Sequence, residues 1–515
     1  FTAEIPLAAP SASAAKAKPA VNERSPDQPF VELKAAMTAD PEQLRLANLT
    51  ATIEQQGRPQ VLTGEAAYQV AAGQLRIALE SRWLDLDKIT AMTVAASSGK
   101  APLVDLLATI SRANVIGNRG ASTLALKVDQ ATLGQESVTG LAVELSTARG
   151  VTEIDTFRLG MPGGSRAEFN GRSTGAAEAM RYDGDLTVRG TSLARLLTWA
   201  TGGGFKLDPA RDAPFSIRAR IDASPDRLRA SNIVAELAGT IGQGEAELGL
   251  KGRRTLSVTV EGEQVDLRPF LTPAAEAAGV RPNPIVAALA AASNAGLQIE
   301  NVDSRLQLRA ARVLTPDGVY NDATADLEWR DRTLRIGQLK FDAGDGVMLD
   351  VEGHLADPSG SPRGTLRGAL SADSGRGVMT LAGLAAWPAT MAPTEQLASA
   401  IAPLHIAGTA VIADNGALDL TANGSAANAV VKVRSRFDRG LTHWRTSGLD
   451  LSILLDGPDA ERIARALAGH SQPTAASNAA TRLVLRASGQ LADGLASHAS
   501  IEREGAQASF SGRVT

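Results

Sequence analysis

The sequence predicts a mainly β fold: an elongated, repeating antiparallel β-sheet groove made of tandem units of about 180 residues, with short interspersed helices. Three observations favour this class. Apolar and polar residues alternate with period 2, an internal repeat runs without gaps, and strand exits recur before segments of helical spacing. The chain has 515 residues, of which 44% are hydrophobic, so it has enough apolar surface to fold around sizeable cores.

The beginning of the chain differs in composition from the rest. Residues 8–29 are rich in Ala, Ser and Pro without any period, which is typical of a flexible lead-in. We expect a targeting or anchoring segment upstream, because the chain begins at Phe1 rather than Met. The predicted domains are a lead-in (1–29), a first β-repeat unit (30–214), a second unit (215–395) and a partial third unit (396–515).

Alternation is clearest in the stretches PFSIRARIDAS, TLSVTVEG and SGLDLSILLDG. Such runs, bounded by turn residues, predict strands with one apolar and one polar face in a largely antiparallel sheet. Arg218 and Arg220 should therefore face water. The residues predicted to line a common apolar groove, continuous from unit to unit, are Phe215, Ile217, Ile221, Leu256, Val258, Val260, Leu449, Leu451 and Ile453.

The repeat is visible over about fifty residues. The segment that begins at Ser122 aligns with the segment that begins at Ser304, and this offset holds without a gap. Leu124 aligns with Leu306. The alternating apolar positions and the glycine turns of the two segments also coincide, although few residues are identical. Units that start near these two serines should therefore superpose.

The stretch SRWLDLDKIT holds two acids, and residues two apart on a strand are separated by roughly 6.5–7 Å, near the carboxylate spacing of an inverting glycosidase. Asp85, however, aligns with Asp266 and more loosely with Asp456, and a segment of helical spacing follows each of them. This recurrence favours a capping role, in which the carboxylate accepts hydrogen bonds from the first turn of a helix. Asp87 has no acidic counterpart, because Arg268 stands at its position in the second unit.

Further helices are predicted between the strands. RGTSLARLLTWATGG reads as a helix with Thr191 or Ser192 as N-cap and Gly202 at its end. Helices that cover a sheet edge or one end of the groove are predicted at 101–114, 273–279 and 285–294.

Several kinds of site lack their motifs. The chain has no cysteine, and its five histidines are scattered, so neither a metal nor a cofactor is expected. GRSTG, residues 171–175, matches G-x-S-x-G but follows a hairpin, which favours a turn over a nucleophile elbow. A net charge of −4 and 3% aromatic residues give no reason to expect nucleic acid as a partner. No apolar run is long enough for a membrane-spanning helix.

The strand arrays with L-x-L parity, the WLDLDKI-type strand exits and the run LALKVDQATLGQESVTGLAVELSTARGVTEIDTFRLGMPGGSRAEFNGR resemble the AsmA family of Gram-negative bacteria. The resemblance covers most of the chain from about residue 30 and lies in a style of repeat. Members of that family and the related TamB and YhdP proteins have an N-terminal inner-membrane helix, which this sequence lacks, and a long periplasmic β-structure linked to outer-membrane homeostasis.

The resemblance implies a non-enzymatic periplasmic protein that carries or bridges phospholipids along an apolar β-groove. Its partners would be phospholipid acyl chains, the inner membrane through a segment outside this chain, and outer-membrane components. An apolar sheet face must be covered by ligand or by protein, because exposure costs about 25 cal/mol per Å². The alternative is therefore a β-repeat scaffold or adhesin with a dry core that assists outer-membrane protein assembly. A third hypothesis is a carbohydrate-active enzyme that uses Asp85 and Asp87.

Overall fold

The computed structural model confirms the mainly β class, in which most of the described chain is strand and the helices are short. It forms two compact units, Phe1–Gly239 with Gln243–Gly252 and Thr240–Gly242 with Arg253–Thr515. The described residues are 2–6, 30–54, 59–93, 102, 121–175, 180–200, 202–203, 212–237, 239–268, 302–315, 318–358, 361–384, 393–439, 446–467, 481–490 and 493–514. The lead-in at 8–29 and the helices predicted at 273–279 and 285–294 lie outside them, as does 101–114 except for Pro102.

The described part of the first unit is a ladder of twelve strands in which neighbours along the chain pair side by side. All pairs are antiparallel except β5 and β6, which are parallel. A parallel pair requires the chain to return along the whole strand, and residues 86–120 make this connection. The strands are β1 (Thr2–Pro6), β2 (Phe30–Ala39), β3 (Gln43–Glu54), β4 (Gln60–Gln69), β5 (Gln74–Asp85), β6 (Ala121–Leu133), β7 (Glu136–Ala148), β8 (Val151–Met161), β9 (Ser165–Thr174), β10 (Arg181–Gly190), β11 (Phe215–Ser224) and β12 (Arg227–Leu237).

The next strand, β13 (Thr240–Gly249), has its first residues in the second unit and the remainder in the first. The rest of the second unit repeats the pattern of the first, with one parallel pair, β14 and β15, followed by antiparallel pairs. The strands are β14 (Arg254–Asp266), β15 (Val302–Thr315), β16 (Gly318–Arg330), β17 (Thr333–Asp342), β18 (Val347–Ala356), β19 (Arg363–Ala372), β20 (Leu404–Ile412), β21 (Leu418–Ala426), β22 (Ala429–Phe437), β23 (Gly448–Gly457), β24 (Thr481–Gln490), β25 (Gly494–Arg503) and β26 (Ala506–Val514).

Irregularities in the ladder recur at the offset that the sequence predicts, which is that from Ser122 to Ser304. The register shifts between Glu144 and Leu145 on β7, and at the same offset between Asp326 and Leu327 on β16. The register also shifts between Thr139 and Ala142 and between Ile154 and Phe157. At the same offset it shifts between Asn321 and Thr324 and between Ile336 and Leu339. A bulge changes the local twist of a strand, so bulges at matching positions give the two segments the same local geometry.

Each described helix follows, directly or after another helix, a strand that runs in the same direction as the other such strands of its unit. In each unit the helices therefore lie at the same ends of the strands, and we call this side of the sheet the helix edge. They are α1 (Leu86–Thr93), α2 (Leu193–Ala200), α3 (Gly375–Leu384), α4 (Glu395–Ile401) and α5 (Ala460–Leu467). The Ser192 Oγ accepts a hydrogen bond of 3.2 Å from the Arg195 amide, which confirms Ser192 as the cap of α2. Gly202 follows α2 with a φ of 60°, as expected of a helix stop.

Buried clusters lie where these helices meet the sheet. Ile463 of α5 is 2% exposed and packs with Val431, Leu455 and Leu483 of neighbouring strands. Val378 of α3 packs in the same way in a cluster with strand residues. In the first unit, the indole Nε1 of Trp199 donates a 2.9 Å hydrogen bond to the Leu133 carbonyl, which fixes α2 against β6.

Candidate functional site: the apolar face of the sheet

The two acids of the first strand exit bind different backbone amides. The Asp85 Oδ1 accepts a hydrogen bond of 3.0 Å from the Lys88 amide, so Asp85 is the N-cap of α1, as predicted. The two carboxylate oxygens of Asp87 accept hydrogen bonds of 2.6 and 2.8 Å from the amides of Gly134 and Gln135, in the turn between β6 and β7. Asp85 therefore joins the end of β5 to the first turn of α1, and Asp87 joins α1 to the turn between β6 and β7.

Asp266 occupies the equivalent exit of the second unit. It is the last residue of β14, as Asp85 is of β5, and its side chain is only 5% exposed. The carboxylate accepts hydrogen bonds from the backbone amide, Nε and Nη2 of Arg268 at 2.9, 2.9 and 2.7 Å. These bonds stabilise the ionised form and hold the pKa of Asp266 below its ordinary value, although burial acts in the opposite direction. Arg268 stands where the first unit has Asp87, and its guanidinium binds the carboxylate of Asp266.

Asp456 also lies near the end of a strand that a helix follows, as predicted, but it is not equivalent to Asp85 and Asp266, and the prediction of a third copy was wrong in this respect. Asp456 lies within the ladder, opposite Val430 and Arg482, and α5 begins only at Ala460. The strands on either side of α5 are antiparallel, whereas those at the exits of Asp85 and Asp266 are parallel.

The connection through α5 is instead of the same kind as β10–α2–β11 and as β19–α3–α4–β20, its counterpart at the repeat offset. The number of residues from the start of β10 to the start of α2 equals the number from the start of β23 to the start of α5. The strands on either side of α2 are antiparallel as well. A helix inserted in an antiparallel hairpin requires no return along the strand, so this connection differs in kind from the two parallel exits.

The other side chains singled out in the sequence have structural positions. Ser173 of the G-x-S-x-G match is 2% exposed and lies in the β9 ladder, so the motif is the end of a strand rather than a nucleophile elbow. Trp329 is buried among Leu327, Leu334 and Ile336. Within the described ranges, no group of three or more His, Asp or Glu side chains could hold a metal ion.

In the first unit, one face of the sheet is apolar from strand to strand. The register places Phe215 opposite Gly190, Ile217 opposite Val188, and Ile221 opposite Gly184, so these candidates share one face. Phe215 is buried, and Ile217 and Ile221 are half-buried. A transverse row of this apolar face, followed by register across β5 to β11, consists of Leu79, Leu126, Val143, Phe157, Phe169, Leu186 and Ala219.

In the second unit, the register joins the remaining candidates in pairs. Leu256 lies in one transverse row with Leu449, Val258 in one row with Leu451, and Val260 in one row with Ile453. The register keeps the three rows on one face of the strands that connect each pair, across the bulge between Ile336 and Leu339. The row that contains Val258 consists of Val258, Leu306, Leu327, Ile336, Gly353, Leu366, Ala410, Leu420, Ser435 and Leu451.

Burial along this apolar face is graded. Leu449 is 8% exposed, but Val258, Val260, Leu451 and Ile453 are half-buried. Leu455, near the helix edge, is 5% exposed because α5 packs on it. The apolar face of the second unit is therefore covered at the helix edge and keeps accessible surface on β14 and β23. Between these strands, Leu327 and Ile336 of the Val258 row are 8% and 2% exposed.

Glycines on the apolar face allow close approach of neighbouring backbones. Gly171 and Gly184 lie opposite each other, and Gly353 is the counterpart of Gly171 in the aligned segment of the second unit. A Cβ on Gly171 would stand 2.3 Å from the Asp183 carbonyl oxygen, and one on Gly353 would stand 2.2 Å from that of Thr365. Such contacts are too short for any side chain, so these positions require glycine.

The opposite face is charged. Arg218 and Arg220 are exposed there, as predicted, and Arg220 pairs with Asp183 of the neighbouring strand. In the second unit the Arg305 guanidinium forms two hydrogen bonds of 3.0 and 2.9 Å with Asp326. The sheet in each unit thus has a charged face suited to water and an apolar face that requires another cover.

The groove candidates chosen from the sequence omit residues that share the same rows. Leu306 was recognised only as a marker of the repeat and Leu126 was not named as a groove candidate, yet both lie in the transverse rows described above. Their L-x-L parity is the same signal that identified Leu256 and Val258. Applying it to every strand would have found them.

None of the helices in the described residues is long and apolar enough to cross a membrane. The chain was compared with protein-family models, with curated proteins and with solved structures. None of the three comparisons gives a match.

Proposed function

We propose that this chain is a non-enzymatic, AsmA-like protein of outer-membrane biogenesis or homeostasis that carries or bridges phospholipids along its apolar face. The observation that carries the proposal is the register of the second unit. Val258 and Leu451 lie nine strands apart in one row of predominantly apolar residues, and both keep accessible surface. Leu327 and Ile336 of the same row are buried, so an acyl chain would contact the half-buried side chains on either side of them.

The energetics favour a long apolar ligand. Each methylene group of an acyl chain contributes about 0.8 kcal/mol when it leaves water, so a chain of ordinary length is held firmly if most of it is covered. Rows of Leu, Val and Ile make no directional contacts that would favour one position over the next. Such a surface suits movement along the face better than storage at one point.

The charged face supports an aqueous location for the rest of the molecule. Ion pairs such as Arg305–Asp326 and Arg335–Glu328 lie across neighbouring strands in the second unit. We place the chain in the periplasm, tethered to the inner membrane through a segment outside this chain, with outer-membrane components as further partners. The basis of that placement is the AsmA-like strand pattern of the sequence.

The test is site-specific photo-crosslinking in cells. Probes at Val258 and Leu451 should capture phospholipid, because both residues lie on the apolar face between the strand ends. Matched control probes at Ser257 and Asp450 differ by one position on the same strands and point to the charged face. Mass spectrometry of the adducts identifies the lipid.

Two results would contradict the proposal. Lipid adducts of equal yield from both faces would indicate contact with bulk membrane rather than a groove. No lipid adducts from either face, with crosslinks only to protein, would favour the dry-core scaffold or adhesin that assists outer-membrane protein assembly.

A further inference from the structure

The charged face of the second unit contains an open depression of about 400 Å³ over strands β17 to β21. Its centre is formed by Ala369 and Ala407, which lie opposite each other on β19 and β20. Both side chains are short, and the residues that continue their row on either side, Asp350 and Asn423, are longer. The hollow therefore results from two alanines surrounded by larger residues, which are polar except for Met348 beside Ser371 and the apolar residues Leu349, Leu370 and Ile406.

Six polar side chains surround these alanines, and the register explains their positions. Lys340 extends the row of the alanines beyond Asp350, and the next row toward the helix edge holds hydroxyl and imidazole groups. The six residues are Lys340, Asp350, Ser371, His405, Asn423 and Ser425. On β22, Lys432 lies directly opposite Asn423 and is exposed, so a second ammonium group stands beside the depression.

These polar groups have no protein partners among the described residues. Lys340 and Asp350 are cross-strand neighbours, yet no ion pair joins them in the part of the chain that the structure describes. On the same face, Arg305 pairs with Asp326 of the neighbouring strand. Polar side chains that converge on a hollow without satisfying one another are available to a ligand.

We propose that this depression binds a small, hydroxyl-rich molecule with one phosphate group, of the size of a sugar phosphate. Its volume lies within the range of small-molecule sites, roughly 300–1,000 Å³. Lys340 offers donors to the phosphate oxygens, and Asp350, His405, Asn423 and the two serines offer hydrogen bonds to ligand hydroxyls. The site lies on the face opposite to the proposed lipid groove and does not depend on it.

The ligand chemistry can come from a soluble sugar phosphate or from the phosphoglycerol head group of a lipid. Calorimetric titration of the full chain with glucose 6-phosphate, glucose and inorganic phosphate addresses the first source. Vesicles of phosphatidylcholine with and without phosphatidylglycerol address the second. We expect glucose 6-phosphate to bind at least about tenfold more tightly than glucose or phosphate alone, because only it engages both sets of groups.

Binding by phosphatidylglycerol vesicles that glucose 6-phosphate competes away would assign the site to a lipid head group. Equal affinity for phosphate and glucose 6-phosphate would overturn the proposal in favour of simple charge attraction. Absence of binding by both sugar phosphate and vesicles would also overturn it.

Two variants locate the binding. Ala407→Leu fills the hollow and should abolish binding of glucose 6-phosphate, whereas Ala125→Leu, an alanine on the charged face of the first unit, should not affect it. Lys340→Gln should weaken binding about tenfold without filling space, and Lys251→Gln is its control. If Ala407→Leu fails to fold, Lys340→Gln decides the question: an unchanged affinity would show that the depression is not the site.

Discussion

Asp85 is the N-cap of α1, and the helix begins at the next residue. Replacing it by Ala should lower the free energy of unfolding by about 1 kcal/mol, because the Lys88 amide loses its acceptor. Asp85→Asn is the matched control and should retain most of the stability, since asparagine is an equally good N-cap. Urea denaturation measures both. Loss of a hydrolytic activity with unchanged melting temperature would refute the capping account.

The lowered pKa of Asp266 predicts that the free energy of unfolding depends on pH. Its pKa in the folded chain is lowered, chiefly by hydrogen bonds from Arg268, so between the folded and unfolded pKa values the unfolded chain binds more protons. The stabilisation should therefore be complete above the unfolded value near 3.8 and be lost as the pH falls through the lowered pKa. Arg268→Gln should reduce this acid sensitivity. Identical pH profiles of unfolding for the variant and the parent chain would contradict the assignment.

The roles of single acids could be predicted from the sequence only where their partners are local. Asp85 binds an amide in the first turn of the helix that follows it, and its recurrence as Asp266 indicated a structural position. The partners of Asp87 are the amides of Gly134 and Gln135, which lie in a distant turn. No pattern of spacing around Asp87 predicts that contact, since it depends on how β6 is placed beside β5.

At the scale of strands and helices, the alternation of apolar and polar residues predicted most of the strands and the faces on which their side chains lie. Alternation predicted the strands and their faces, and the offset between Ser122 and Ser304 recurs in the bulges. The largely antiparallel sheet was predicted, but the parallel pairs β5–β6 and β14–β15 were not, because a period-2 pattern is the same in parallel and antiparallel neighbours. Asp456 was misassigned for this reason: the helix that follows β23 leads into an antiparallel strand.

Close backbone contacts make a further prediction at this scale. Gly171→Ala should destabilise the first unit by on the order of 2 kcal/mol, because its Cβ would collide with the Asp183 carbonyl. Gly512→Ala is the matched control, since Gly512 also lies within a strand but a Cβ there meets nothing within 4 Å. The control should be neutral or slightly stabilising. Thermal unfolding of both variants measures the difference, and equal effects would mean that the contact near Gly171 relaxes at no cost.

At the scale of the whole molecule, the register of the second unit leads from local patterning to the proposed transport. Leu256, Val258 and Val260 were grouped with Leu449, Leu451 and Ile453 only by their parity in the sequence. The pairing between them keeps the apolar residues on one face across its bulges, so each residue of the first set shares a row with one of the second. In β17 the bulge changes the sequence spacing of the apolar residues between Ile336 and Leu339, but the pairing absorbs the extra residue, so the apolar face is not divided.

Continuity of these rows can be tested by placing a charge in them. Val258→Asp and Leu451→Arg each put an ionised group on the apolar face, where an acyl chain that passes would have to desolvate it. We expect either change to slow lipid transfer between donor and acceptor vesicles by roughly tenfold or more. Ser257→Asp and Ser452→Arg introduce the same charges one position away, on the charged face, and should leave transfer unchanged.

Thermal unfolding of all four variants shows whether the fold is retained, and rates are compared only among variants that melt with the parent chain. If Val258→Asp melts early, Leu451→Arg tests the same row from its other end. Equal transfer by the apolar-face and charged-face variants would mean that lipid does not travel along these rows. In that case the rows serve only to build the sheet, and the half-buried side chains of the apolar face must have a protein cover.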